Sequence, residues 1–283
     1  MQDVEASLEL YRWSTQDPNA QAAALAEIFR RIRPGQEPRL LREDFAGNAA
    51  DSVAWIAGGR QRRAIAVDMN APTLDHAKRR ADRLLGKRAE RLHFVLADVH
   101  QVAPPQVAAA DVLSVLNFSS FYLHTRRDLL RYFRHAHSTL SERGILVLNA
   151  FGGPAAMRAH VDHHRIHPQR ERGQIRALPA FDYYWEQLGY DACTSRIHCR
   201  IHFDVTDAEQ MNGKRRIANA FEYDWRLWTL PELTEAMREA GFRKAQVWRH
   251  TASGTPDRPK VFLGPVRKLP DQELWVAYVV GIR

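Results

Sequence analysis

Cysteine is nearly absent. The 283 residues include two, Cys193 and Cys199. Two thiols build no disulfide framework, and without a Cys-x-x-Cys pair they give no zinc site of familiar spacing. A reducing cytoplasm is the expected setting. Long apolar runs are missing too: none approaches the ~18 residues of a membrane helix. The opening "MQDVEASLELYRW" carries acids early and no apolar core, so it does not read as a secretory leader. There is no internal repeat and no low-complexity tract. Glycine is scarce where it would count most. The stretch "LLREDFAGNAADSV", residues 40–53, has the outline of a nucleotide-binding turn. Yet it holds Gly47 alone, where dinucleotide-binding loops hold three glycines.

What the chain has in excess is positive charge. The net charge is +8, and basic clusters recur as "RRIRP", "GGRQRR", "KRRADR" and "GKRAER". A polyanion partner is one explanation, and solvated helix faces are the other. The clusters are scattered, mostly beside acids, and lack the interleaved aromatics that stack bases. Solvated faces are therefore the favoured explanation, with a nucleic acid kept as the alternative partner.

Periodicity gives the organisation. "ASLELYRW" and "NAQAAALAEIFRRI" space apolar residues as helices do, and "DPNAQ" starts the second. From residue 39 to 151, short apolar strands alternate with helices: "RLLREDF", "RAIAVDM", "LHFVLADV", "ADVLSVLNF" and "GILVLNAF" are the strands. Such nearly continuous apolar runs suit strands buried on both faces, hence a doubly wound α/β sheet. Asn70 is a candidate cap for the helix "APTLDHAKRRADRLL". Residues 152–180 then become rich in His, Arg and Pro. "FDYYWEQL", "SRIHCRIHFDV" and "RRIANAFEYDWRL" alternate as half-exposed antiparallel strands do. A last helix, "LPELTEAMREAGF", precedes the strands "KAQVWRH" and "LWVAYVVGI". The expected division is an N-terminal helical lid (1–36), an α/β core (37–151), an antiparallel insertion (152–228) and a C-terminal return to the core (229–283).

In a doubly wound sheet the ligand lies beyond the carboxyl ends of the strands. Those ends carry Glu43 and Asp44, then Asp68, then Asp98, then Asn117, Phe118 and Ser119. Gly47 allows close backbone approach. Asp68, 21 positions later, sits where a carboxylate accepts ribose hydroxyls. Carboxylates crowd the place a pyrophosphate would occupy. The expected ligand is a phosphate-free, cationic adenosine.

These residues resemble the class I S-adenosylmethionine-dependent methyltransferases. "EDFAGNA" matches their acid-x-Gly-x-Gly-x-Gly loop, with Glu43 at the acid, Gly47 at the middle glycine, and Phe45 and Ala49 replacing the other two. "AVDMN" resembles the ribose motif (Asp68, Met69) and "LADV" the adenine motif (Asp98, Val99). The resemblance covers roughly residues 39–151 and 229–283. It implies a seven-stranded sheet with an antiparallel last pair and S-adenosylmethionine as cofactor. The cofactor would be held by Glu43, Phe45, Ala46, Gly47, Asp68, Met69, Asp98, Val99, Asn117 and Phe118. The whole chain also looks like a bacterial group of small-molecule methyltransferases that carry "EDFCGTA" at the loop.

Methyl transfer asks chiefly for positioning and exclusion of water. Asn117, Tyr122 and Glu186 are the candidate catalytic residues. Ser119, Tyr122, Tyr183, Tyr184, Trp185, Trp225, Arg226 and Trp228 are candidates for the acceptor pocket. The alternatives for the insertion residues are a sheet core for the aromatics and a structural ion pair for Glu186 and Arg226. His124 and His202 are conceivable bases. "AHVDHHRIH", residues 159–167, would place His160, His163, His164 and His167 near one another on a helix. An exposed linker is the plainer explanation, ordinary methyl transfer needs no metal, and none is expected. No prolines follow Asn117, unlike enzymes that methylate exocyclic base amines. The expected function is methyl transfer to N or O of a small molecule by a monomer or homodimer with no membrane partner. An RNA or protein methyltransferase and a non-catalytic cofactor-binding protein are the alternatives.

Overall fold

The structure is a computed structural model, and it describes residues 2–167, 179–206, 214–255 and 258–283. The chain starts with two helices, α1 (Gln2–Thr15) and α2 (Pro18–Ile32). The Asp17 side chain caps α2 by accepting from the Ala20 N–H. The α/β segment follows as β1 (Leu40–Asp44), α3 (Ala50–Ala57), β2 (Arg63–Asp68), α4 (Ala71–Leu85), β3 (Leu92–Leu96), β4 (Ala110–Val115), α5 (Arg126–Thr139) and β5 (Leu140–Gly152). Asn70 caps α4 as expected, accepting from the Thr73 N–H. The second half holds β6 (His160–Ile166), β7 (Phe181–Asp191), β8 (Arg196–Thr206), β9 (Lys214–Arg226), α6 (Leu230–Glu239), β10 (Lys244–Thr255), β11 (Arg258–Val266) and β12 (Trp275–Ile282). Thr229 and Glu232 close a reciprocal capping box at the start of α6. Among the described residues, no helix is long and apolar enough to cross a membrane.

The main sheet has eight strands in the order β11-β10-β12-β5-β4-β1-β2-β3. Strands β1 to β5 run parallel, and β12, β10 and β11 are antiparallel to their neighbours. The sequence predicts seven strands, and β11 is the addition. "RPKVFLGPV" contains Pro259 and Pro265, and proline reads against a strand because it cannot donate to a ladder. An edge strand tolerates proline, and β11 is at the edge.

The second sheet is antiparallel, in the order β6-β7-β8-β9. Its inner face carries Phe181, Tyr183, Ile201 and Phe203, which pack with Leu10 of α1. Further along, Ile197, Cys199 and Trp225 join the core of the main sheet. α1 is also tied to the other side of the molecule through Glu9–His76 and Glu5–Arg79 contacts to α4. It therefore bridges the two sheets. The histidine-rich segment 160–166 is a strand, β6, rather than a linker or a helix. Alternation then puts His160 and His164 on one face and His163 on the other, where it meets Asp182.

Candidate active site

β1 ends in a loop whose backbone explains the missing glycines. Phe45, Gly47 and Ala49 all have positive φ, at 55°, 51° and 50°. These are the three positions at which the resembled motif has glycine. The left-handed backbone is kept, and two of the three residues adopt it with side chains. Asn117 and Phe118, after β4, do the same at φ 52° and 62°. Such conformations cost on the order of 1 kcal/mol or more for residues other than glycine, and gather where function over-determines the backbone.

The donors of this loop are already used within the chain. Ala46 N–H donates to the Val67 carbonyl and Ala49 N–H to that of Ala46. Gly47 N–H donates to Asp68 Oδ2 at 2.7 Å, and Ala50 N–H to Asn48 Oδ1 at 3.1 Å. Ser52 N–H and Oγ both donate to Glu43 Oε2, at 2.9 and 2.5 Å. The start of α3 is thus covered by the protein's own oxygens, and a pyrophosphate would have to displace them.

A cavity of about 450 Å³ opens at the carboxyl ends of β1, β2 and β4. Of the candidates named from the sequence, Phe45, Ala46, Gly47, Asp68, Met69, Asn117, Ser119, Tyr122 and Trp225 line it. Asp68 is fixed by two backbone N–H groups, those of Gly47 and Asn70, each on a different carboxylate oxygen.

Other expected ligands lie elsewhere. Glu43 does not line the cavity but faces Ser52, and burial pushes its carboxyl up to about 7. Asp44, read as a second loop acid, is buried against Arg42 at 2.6 Å and accepts from the Tyr132 hydroxyl at 2.8 Å. Asp98 turns onto its own loop, accepting from His100 N–H at 2.9 Å, and this bond holds its carboxyl below the ordinary range. Val99 is buried in the core.

A second cavity, of about 300 Å³, lies between α1 and the inner face of the antiparallel sheet. Tyr11, Asn117, Tyr223 and Trp225 line both cavities, so the two meet there. Phe118, Phe151, Tyr183 and Trp185 add aromatic walls. Trp185, Tyr223 and Trp225 contact one another, with ring centroids 4.4 to 5.8 Å apart. Phe118 belongs to this cavity rather than to the first.

Strand register sorts the remaining candidates. On β7, Tyr183, Trp185 and Gln187 line the cavity, whereas Tyr184 and Glu186 take the opposite face. Tyr184 stacks on His163 at 4.7 Å. Glu186 meets His202 at 3.1 Å. His202 Nδ1 accepts from the Asn219 N–H, so its proton is on Nε2 and points at Glu186. On β9, Trp225 lines the cavity and Arg226 does not. The Arg226 guanidinium donates to the His124 carbonyl and lies 3.8 Å from the Trp228 ring. Trp228 is buried and donates to the Leu123 carbonyl. His124 is engaged with the Asp224 carbonyl at 2.6 Å. Glu186, Tyr184, Arg226, Trp228, His124 and His202 therefore serve the frame of the insertion.

Tyr122 is at the cavity, but burial pushes its phenol up to about 12. It stays protonated at neutral pH and can act as a hydrogen-bond donor. Tyr11, Tyr183 and Tyr223 are likewise raised, first by burial. The sequence marks residues 1–36 as a lid but names none of its side chains as site residues: Leu8 and Tyr11 of α1 and Gln16 just after it line the first cavity, and Tyr11, Ser14 and Thr15 line the second. Asn117 is held from α2: its Oδ1 accepts from Gln21 Nε2 at 3.3 Å.

Comparison with known proteins gives the fold an independent reading. No family model and no curated protein matches the sequence. Solved structures do match. The chain is similar to an amino pentose methyltransferase from Micromonospora echinaspora, at 16% identity and TM-score 0.62, covering 95% of this chain and 94% of that one. It is similar to a sugar N-methyltransferase from a Streptoalloteichus species, at 18% identity and TM-score 0.63, with 97% and 91% covered. It also matches an S-adenosylmethionine-dependent methyltransferase from Clostridium acetobutylicum, at 14% identity and TM-score 0.64, with 96% of each chain covered. The chain has the fold of the class I S-adenosylmethionine-dependent methyltransferases.

Proposed function

We propose that this chain transfers a methyl group from S-adenosylmethionine to a nitrogen or oxygen atom of a small molecule. The observation that carries the reading is the meeting of two unlike cavities at Tyr11, Asn117, Tyr223 and Trp225. One holds the carboxylate and close-approach glycine suited to an adenosyl group, and the other is walled by aromatics. When bound, the cofactor supplies an electrophilic methyl group on a cationic sulfur.

The chain's own residues would do the positioning. Asp68, held by two N–H groups, keeps its outer lone pairs for the ribose hydroxyls. Gly47 lets the ligand approach the backbone. Asn117 and Tyr122 stand where the cavities join. α1 roofs the junction, which supports a lid role for residues 1–36. The insertion, 152–228, caps the acceptor cavity over a core formed by 37–151 and 229–283. The absence of Lys and Arg from both linings, among the described residues, favours a small molecule over an RNA acceptor. The cysteines are free, which fits a reducing, cytoplasmic setting.

Calorimetry with S-adenosylhomocysteine tests the site. Wild-type protein is expected to bind it, and Asp68→Ala to bind it at least about tenfold more weakly, the loss of a charge-assisted pair of hydrogen bonds. Equal affinity in the two proteins would remove Asp68 from the site. A thermal shift with NAD and none with S-adenosylhomocysteine would overturn the whole reading.

A further inference from the structure

The acceptor cavity has a chemical character of its own, set against a chain of net charge +8. Among the described residues, Asp162 is the one carboxylate in its lining, and no Lys or Arg lines it. His160 and His164 flank Asp162 on the same face of β6, with His160 Nε2 3.6 Å from Asp162 Oδ2. Trp185, Tyr223 and Trp225 supply mutually packed ring faces. Deeper in, Gln187 is 1% exposed. Its Nε2 donates to the Ala156 carbonyl at 2.7 Å, which fixes the amide orientation. Its Oε1 is buried with no hydrogen-bond partner among the described residues. A buried acceptor without a donor is costly unless a ligand supplies the donor.

These features point to one acceptor class. We infer that the methyl acceptor is an organic amine, taken up as an ammonium ion and bearing no anionic group. Aromatic faces attract a desolvated cation. Asp162 supplies the opposite charge at the mouth. An N–H of the amine meets Gln187 Oε1. A carboxylate or phosphate on the acceptor would find no cation in the lining. A hydroxyl acceptor would need a base or a cation to stabilise developing oxyanion charge, and the phenols around the junction are held protonated. An amine builds up no such charge: its ammonium form has only to lose one proton before it attacks. It gives one proton to water or to His164 at the mouth, and its lone pair then forms the bond to the methyl carbon. The carbon–sulfur bond breaks with its electron pair left on sulfur. The methylated ammonium can release its extra proton the same way.

This inference rests on the reading that the second cavity seats the acceptor, and the experiment separates the two. Tryptophan fluorescence would be titrated with benzylammonium, benzyltrimethylammonium, benzyl alcohol and benzoate, with and without S-adenosylhomocysteine. Both cations are expected to bind at least about tenfold more tightly than the alcohol, and benzoate not at all. Asp162→Asn should weaken both cations about fivefold, as loss of a partly exposed charge partner does. Gln187→Met should weaken benzylammonium and spare the quaternary ion, which has no N–H to give. Each variant's S-adenosylhomocysteine affinity would be read alongside as a check on folding. Benzoate binding as well as the cations, or no cation binding at millimolar concentration, would overturn the inference. So would indifference of both variants. Cation binding without any S-adenosylhomocysteine binding would instead overturn the methyltransferase reading and leave the ammonium site standing.

Discussion

Gly47 has φ 51°, and nothing lies within 4 Å of the position a Cβ would take. Its neighbour two residues on, Ala49, holds almost the same φ with a side chain. Gly47→Ala is therefore expected to fold, at a cost of about 1 kcal/mol in urea denaturation. Its affinity for S-adenosylhomocysteine should nevertheless fall at least about tenfold, because the new methyl group would enter open cavity. Unchanged affinity would mean that the ligand does not approach the loop there. Glu43 makes a second, pH-dependent case. Its folded pKa of about 7 lies above the ordinary 4.5, because burial disfavours the charge. Below pH 4.5 both folded and unfolded states are protonated. Between pH 4.5 and 7 the unfolded chain ionises first, so this residue's contribution to stability falls as pH rises. Glu43→Gln should flatten that fall, by about 3 kcal/mol across the window, in urea midpoints at pH 4.5, 5.5 and 7. The sequence marks Glu43 as a loop acid. It could not reveal that Ser52, nine residues away on α3, takes the carboxylate out of the cavity.

At the scale of elements, α1 belongs to both cavities and is tied to α4 and to the antiparallel sheet. Glu9 is central to them. Burial pushes its carboxyl up, but hydrogen bonds from His76 and Arg12 and the charge of Arg12 outweigh this and hold it at about 2. Glu9→Gln removes the charge and is expected to speed amide exchange across α1 while leaving β4 protected, as mass spectrometry would read. Equal protection of α1 in both proteins would show that the Glu9 charge does not hold it. The helical period of α1 is plain in the sequence, but its neighbours are not, because its partners come from α4 and from β7 to β9. The strands of the main sheet are legible for the opposite reason, since burial on both faces writes a continuous apolar run. β6 was hidden by its histidines and β11 by its prolines. β7 is instructive in another way: its existence follows from alternation, but both faces carry aromatics, so the pattern does not say which face is inner. Tyr184 and Glu186 look like site residues by chemistry, but register turns Tyr183 and Gln187 to the cavity instead.

For the whole molecule, the question is what the +8 charge does. The linings of both cavities exclude Lys and Arg among the described residues, so the positive charge belongs to the rest of the surface. Affinity for S-adenosylhomocysteine is therefore expected to change less than about threefold between 50 and 500 mM salt in calorimetry, since screening acts on exposed charges. A steep, linear fall of log affinity with log salt would be the signature of a polyanion partner and would reopen the RNA reading. The left-handed residues bear on how such a loop can be built. Phe45 and Ala49 hold, with side chains, the positive φ that the resembled motif gives to glycine. The torsion angles of the loop therefore do not depend on glycine, and a pattern written in letters alone passes over a backbone that keeps its shape.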